Sequence, residues 1–248
     1  MGEVISGLWV GDRLSTMERL SIASFLRNGH EFHLYVYGNP AGVPPGTVLL
    51  DGNDILPSSR IFMYSRQATY AGFSNYFRYR LLLERGGWWV DLDTVCLKPF
   101  DFAEAYVFSS EVNEGEPHIN CGMVKCPAGS PLMSYLWGET DRLEPSALTW
   151  GQCGPQLMQR GVEMFSLESF VQPPSVFCPI SHHDWRRLLE PAVAWDFGVE
   201  TRAVHLWHEM WRRSQLDKDA AYDPTCLYET LKGRFLDRAA HEGYGSRM

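Results

Sequence analysis

Gly86-Gly87-Trp88-Trp89-Val90-Asp91-Leu92-Asp93 is the stretch whose reading decides the fold. The paired glycines end whatever helix precedes them, because glycine takes without penalty the left-handed conformation in which helices close. An unbroken run of large apolar residues follows, the pattern of a strand buried on both faces. Residues two apart in a strand point to the same side, so Asp91 and Asp93 are expected to project together from its end. Two carboxylates so close repel each other unless a cation lies between them, and carboxylate oxygens suit Mg2+ or Mn2+. An acidic surface turn is the competing reading of an isolated Asp-x-Asp, so the neighbouring sequence has to decide.

Upstream, residues 68–85 carry Phe73, Phe77, Leu81 and Leu82 at helical spacing, and the glycine pair closes that helix. Residues 4–10 read as a buried strand. Ser15-Thr16-Met17-Glu18 has the form of a capping box, opening a helix that Gly29 ends, and residues 32–37 read as a second strand. Strand, helix, strand is the opening of an α/β fold. The Gly/Pro-rich residues 38–57 form a long connection with a short strand near 48–50. Downstream, strands are expected at 106–109, 119–125, 176–179 and 203–207, and helices at 131–142, 152–160 and 225–234. With no repeat and no linker, residues 1–238 read as one α/β domain, a Rossmann-like mixed sheet flanked by helices. The polar residues 239–248 read as a frayed tail.

Composition narrows the function classes. The formal net charge is −8 across 248 residues. No basic run exceeds the pairs Arg186-Arg187 and Arg212-Arg213, which argues against nucleic acid as a partner. An acidic protein still holds an anionic nucleotide where a cation and a few arginines reverse the field of one cleft. Aromatic residues make up 13% of the chain, with nine Trp, and flat rings of this kind also stack on the apolar faces of sugars. The six Cys form no Cys-x-x-Cys and read as free thiols of a reducing compartment. No apolar run reaches the ~18 residues of a spanning helix, and the first residues lack a leader pattern. A cytoplasmic chain is expected, with at most peripheral contact to a membrane.

The block Phe73-Ser74-Asn75-Tyr76-Phe77-Arg78-Tyr79-Arg80, followed by Gly86-Gly87 and the strand into Asp91-Leu92-Asp93, resembles glycosyltransferase family 32, whose pattern is Ser-Asp-x-x-Arg-Tyr, helix, Gly-Gly, strand and Asp-x-Asp. Weaker matches are Trp9-Val10-Gly11, Asn120, Trp150-Gly151-Gln152-Cys153-Gly154-Pro155 and His205-Leu206-Trp207, so the resemblance spans roughly residues 4–211. It implies a GT-A-type fold and retaining transfer of a hexose from a nucleotide-sugar, UDP favoured over GDP, with Mn2+ or Mg2+. A saccharide or lipid-linked acceptor would receive the sugar. By position it implies that Asp91 and Asp93 contact metal, ribose and diphosphate, and that Arg78 binds donor sugar or phosphate. Trp9 would lie beside the base, Asn120 would contact the donor, and His205 would be a late metal ligand. Gln152 is a candidate for positioning the sugar or acceptor on a front-face path. One departure stands out: Asn75 occupies the position where the family usually has Asp.

Two other readings compete. A haloacid-dehalogenase-type phosphohydrolase would use Asp91 as nucleophile and Asp93 as acid/base, but needs a later acidic pair at a strand end that the sequence lacks. A catalytically silent sugar-binding module would have no reason to keep Asp91, Asp93 and His205. Zinc readings of His182-His183-Asp184 or of His205 with His208 lack a complete ligand set.

Overall fold

A computed structural model describes residues 3–64, 68–145 and 148–236. The tail expected at 239–248 lies outside them. The chain runs β1 (Val4–Trp9), α1 (Thr16–Arg27), β2 (Glu31–Val36), β3 (Val48–Asp51), α2 (Ala71–Arg85), β4 (Gly87–Val90), β5 (Thr94–Cys96), β6 (Val107–Asn113), β7 (Glu116–Cys126), α3 (Pro131–Asp141), α4 (Pro155–Met164), α5 (Pro174–Phe177), β8 (Ala203–His205), α6 (His208–Arg213) and α7 (Leu227–Phe235).

Six strands form one mixed sheet in the order β3-β2-β1-β4-β7-β6, and β5 pairs with β8 in a separate ribbon. The first four strands of that order are parallel, while β7 is antiparallel to both β4 and β6. Each face of the sheet carries its own core. Met17, Leu20, Ile22 and Phe25 of α1 pack on one face with Trp88, β8 and α7. Phe73, Phe77, Leu81 and Leu82 of α2 pack on the other with Trp89, α3 and α4. The consecutive tryptophans of β4 thus feed opposite cores, which is why this strand shows no polar alternation.

Local differences from the sequence reading have identifiable causes. Helix α2 starts at Ala71, because Ala68 takes a positive φ of 50° that no helix accommodates. Helix α4 starts at Pro155 rather than at residue 152, with Gly154 outside the helix and the proline at its first position. The strand expected at 176–179 is a helical turn: Pro173-Pro174 fix φ for a helix start, and Cys178 N–H donates to the Pro174 carbonyl. The ribbon strand β5 and the short helix α6 carry too few residues to show a period.

Helix α2 passes into β4 through Gly86, whose φ of 64° and ψ of −159° suit glycine alone. A Cβ there would lie 2.4 Å from the Ala128 backbone nitrogen. Gly86→Ala therefore destabilises the fold by at least about 2 kcal/mol, read as a lower urea midpoint.

His30, buried where α1 meets β2, gives a second expectation. Its Nε2 accepts from Phe100 N–H at 3.0 Å, so Nδ1 must carry the hydrogen donated to the Glu3 carbonyl, also at 3.0 Å. Burial lowers its pKa, outweighing the Glu3 carbonyl and charge. The unfolded chain therefore takes up a proton that the folded one refuses. Stability is complete above the unfolded value near 6.5 and falls with decreasing pH until the depressed folded value is reached, by up to about 1.4 kcal/mol per pH unit. Urea midpoints between pH 7.5 and 5 should show this slope, and His30→Gln should flatten it.

Candidate active site

Strands β1 and β4 are parallel neighbours, so their carboxyl ends lie side by side. Trp9 ends β1, and Asp91 follows β4. The indole Nε1 of Trp9 is buried without a hydrogen-bond partner among the described residues, and Lys218 Nζ lies 5.8 Å from the ring centre.

The acidic triplet leaves the strand as a turn. Asp91 N–H extends the ladder by one bond to the Gly122 carbonyl, and Thr94 N–H then folds back onto the Asp91 carbonyl. The acidic triplet is therefore a turn and not a continued strand, and each carboxylate has its own hydrogen-bond partners.

Asp91 Oδ1 accepts from Arg78 Nη2 at 2.5 Å and from Trp89 Nε1 at 2.9 Å. Arg78 is 2% exposed, stacks its guanidinium 4.9 Å from the Trp89 ring centre and donates through Nη1 to Asn75 Oδ1 at 2.8 Å. Asn75, Arg78, Trp89 and Asp91 are thus one connected unit. Burial raises the Asp91 pKa, with Arg78 opposing it and the neighbouring Asp93 adding to it. The Asp91 side chain remains 33% exposed, and no described residue bonds its Oδ2. That oxygen faces Gly122. A Cβ at Gly122 would meet Asn120 Oδ1 at 3.4 Å, His205 Cε1 at 3.7 Å and Asp91 Oδ2 at 3.8 Å. The missing side chain keeps the space between these groups open.

Asp93 is bound on both oxygens. Oδ1 pairs with His205 Nε2 at 3.1 Å, and Oδ2 accepts from His208 N–H at the start of α6 at 2.9 Å. Burial alone would raise the Asp93 pKa, but the His205 charge and hydrogen bond and the His208 N–H outweigh it and hold the carboxyl well below the usual range. His205 is raised correspondingly, Asp93 overcoming burial. Trp207 makes this geometry possible. Its left-handed φ of 59° turns the chain between β8 and α6, its Nε1 donates to the Ile180 carbonyl, and its ring centre lies 3.9 Å from that of His205. A non-glycine residue in that conformation marks strain retained beside a site.

Asn120 is buried. Its Oδ1 accepts from Ser109 Oγ and from Gly122 N–H, and its Nδ2 donates to Cys178 Sγ at 3.3 Å. Gln152 is not drawn into the cluster by any bond, since its Oε1 accepts from Thr149 N–H and Oγ1, both at 3.1 Å. Its neighbour Cys153 is the link instead, with Sγ 3.3 Å from Tyr64 Oη and 4.0 Å from Asn75 Nδ2. Gly122, the Trp89 indole and the His208 N–H were given no role from sequence; Trp207 stood there only within the His205-Leu206-Trp207 match, and His208 only in the zinc reading with His205.

Asp91, Asp93 and His205 adjoin one space. Among the described residues, no group of three or more His, Cys, Asp or Glu is already arranged to hold a metal ion. The donor chemistry nonetheless suits a hard cation that takes most of its ligands as phosphate and water oxygens. A cleft of about 360 Å3 opens at the carboxyl ends of β2 and β3, beside residues 36–38 and 49–51, on the far side of β1 from the acidic turn.

Comparison with known proteins agrees with this geometry. Residues 24–110, which include the acidic turn, match the model of the glycosyltransferase sugar-binding region containing a DXD motif. Residues 146–232, which include β8 and α6, match the alpha 1,4-glycosyltransferase conserved region. No curated protein matches by sequence. Among solved structures, the PaToxG glycosyltransferase superposes with a TM-score of 0.51 at 15% identity over 68% of this chain and 72% of that one. An active-site mutant of LgtC gives 0.48 at 10% identity over 82% and 87%. The PaToxG likeness is one of fold. With the mixed six-stranded sheet, the acidic turn after β4 and two glycosyltransferase regions that together span most of the sequence, the chain has a GT-A-type fold and is a glycosyltransferase that resembles family 32.

Proposed function

We propose that this enzyme moves a hexose from a nucleotide-sugar, UDP-linked in preference to GDP-linked, to a saccharide or lipid-linked hydroxyl, with retention and with the help of Mn2+ or Mg2+. One domain over residues 1–238 would carry the reaction. The observation that carries this reading is the open Asp91 Oδ2, held at the carboxyl end of β4 by a buried Arg78 and facing the space left by Gly122. A cation there would be held by Asp91 and Asp93, with His205 beside it, and would neutralise the diphosphate as it leaves. Trp9, half-buried at the end of the neighbouring β1, offers its ring as the surface for the base. Arg78 is bonded on both Asn75 and Asp91, so its role is to fix the carboxylate and the amide rather than to reach out alone. Asp91 as a phosphohydrolase nucleophile is disfavoured, because a buried guanidinium and an indole N–H already hold its Oδ1. No helix among the described residues is long and apolar enough to cross a membrane, so a lipid-linked acceptor would be met at a surface.

Thermal shift tests the donor site directly. UDP with Mn2+ at a hundred times its dissociation constant should stabilise the protein by about 2.7 kcal/mol, and EDTA should abolish both the shift and turnover. Asp93→Asn should lower transfer at least about a hundredfold, and should also lower the melting temperature because it removes the charge that meets His205. Full activity in EDTA, or a wild-type rate in the variant, refutes the metal assignment.

Asn75 provides a separate test. Its Oδ1 already accepts from Arg78, so Asn75→Asp places a second carboxylate on that guanidinium, beside Asp91. Relative kcat/KM across several nucleotide-sugars should be reordered by about tenfold, because one mismatched buried hydrogen bond is enough for that change. A uniform change across all donors would show that Asn75 does not read the sugar.

A further inference from the structure

Glu111 is the one carboxylate near the site that the donor reading leaves unused. It stands on β6, two residues beyond Ser109 and just past a register irregularity between Phe108 and Ser110. Ser109 Oγ donates to Asn120, whose Oδ1 receives the Gly122 N–H beneath Asp91 Oδ2. A polar track therefore leads from the acidic turn along the β7/β6 ladder to Glu111.

The surroundings of Glu111 are unusual for a carboxylate that is 19% exposed. No described residue makes a hydrogen bond to it. His182 Nδ1 lies 3.9 Å from it, beyond hydrogen-bonding range, and that ring nitrogen is itself buried without a partner among the described residues. His183 stacks 4.0 Å from His182, and His118 faces Glu111 across the ladder. The His182 ring lies 5.8 Å from Trp207, which packs on His205. A solvent-reachable carboxylate that no described residue bonds thus lies beside an imidazole nitrogen buried without a partner. The pair matches a ligand presenting several hydroxyl groups, since a hydroxyl donates to the carboxylate and exchanges a hydrogen bond with either tautomer of the imidazole.

The sheet order indicates which substrate this is. The donor groups Trp9 and Asp91 stand at β1 and β4, while Glu111 stands on β6, two strands and about 10 Å beyond β4. An unpaired carboxylate repels a diphosphate and accepts from neutral polyols. We propose that Glu111 and His182 form the subsite that binds the hydroxyl groups of a saccharide acceptor, an assignment that rests on the transfer reaction proposed above.

Saturation-transfer NMR with methyl α- and β-hexosides, on the full chain with UDP and Mn2+ present, reads this subsite without turnover. Wild-type protein should saturate at least one methyl hexoside. Glu111→Gln and His182→Asn should each weaken that binding by about tenfold while the UDP dissociation constant and the melting temperature stay within error. Two variants guard against a folding defect in either one. Equal saturation in both variants, or none in the wild-type protein, overturns the assignment. Failure of the transfer reading itself would look different: a wild-type protein that binds the hexoside through Glu111 yet moves no sugar onto it.

Discussion

The contact on which the site depends is the ion pair between Arg78 and Asp91. A guanidinium that is 2% exposed tolerates burial only with its charge met, and here Asp91, Asn75 and the Trp89 ring share that task. Removing one partner of such a pair typically costs about 3–5 kcal/mol, because the other charge is left uncompensated. The pair also ties the middle of α2 to the end of β4, the two elements that Gly86 joins. The direction in which the Asp91 carboxylate points is thus set by the packing of a whole helix and not by the turn alone.

Topology explains where this contact falls. Strand β1 is flanked by β2, reached through α1 on one face, and by β4, reached through α2 on the other. Trp9 and the acidic turn therefore stand at the carboxyl ends of adjacent parallel strands, the end of an α/β sheet at which ligands bind. Beyond β4 the sheet turns antiparallel, and β7 brings Gly122 and Asn120 against the acidic turn. The β5/β8 ribbon then returns the chain with Thr94 opposite His205, which delivers an imidazole to Asp93 from 112 residues away.

Legibility from sequence followed the range of the interactions. Strands β1, β2 and β4 and helices α1 and α2 declare themselves through apolar period and glycine stops, because their burial is continuous. Arg78, Asp91, Asp93 and His205 could be named because a spaced pattern carries them. Which groups hold Asp91 and Asp93 could not be read: the strand rule concerns their backbone alone, whereas Arg78 and His205 reach them through bonds 13 and 112 residues long in sequence. Residues 176–179 look like a strand by composition, yet the two prolines before them impose a turn. Trp207 shows no sign of its left-handed backbone, since only tertiary contacts at Ile180 and His205 hold it there. Glu111 is an unremarkable acidic residue in sequence; its isolation exists only once β6, β7 and the 181–184 turn meet.

The carboxylates of the site differ in how far each is already satisfied, and this difference sorts their proposed roles. Asp93 has both oxygens bonded, one to an imidazole and one to the N–H that starts α6. Asp91 has one oxygen bonded and one open. Glu111 is not bonded by any described residue. A cation entering beside Asp91 finds an available oxygen at once, but must compete with His205 and the His208 N–H for Asp93. A bare ion has little with which to offset those bonds, whereas an ion arriving with a diphosphate brings phosphate oxygens to complete its own shell and anionic charge to meet the positive His205. On the proposed reading, the internal pairing of Asp93 keeps the metal-free protein folded around a pair of carboxylates that would otherwise repel, and makes capture of the metal depend on the nucleotide that needs it.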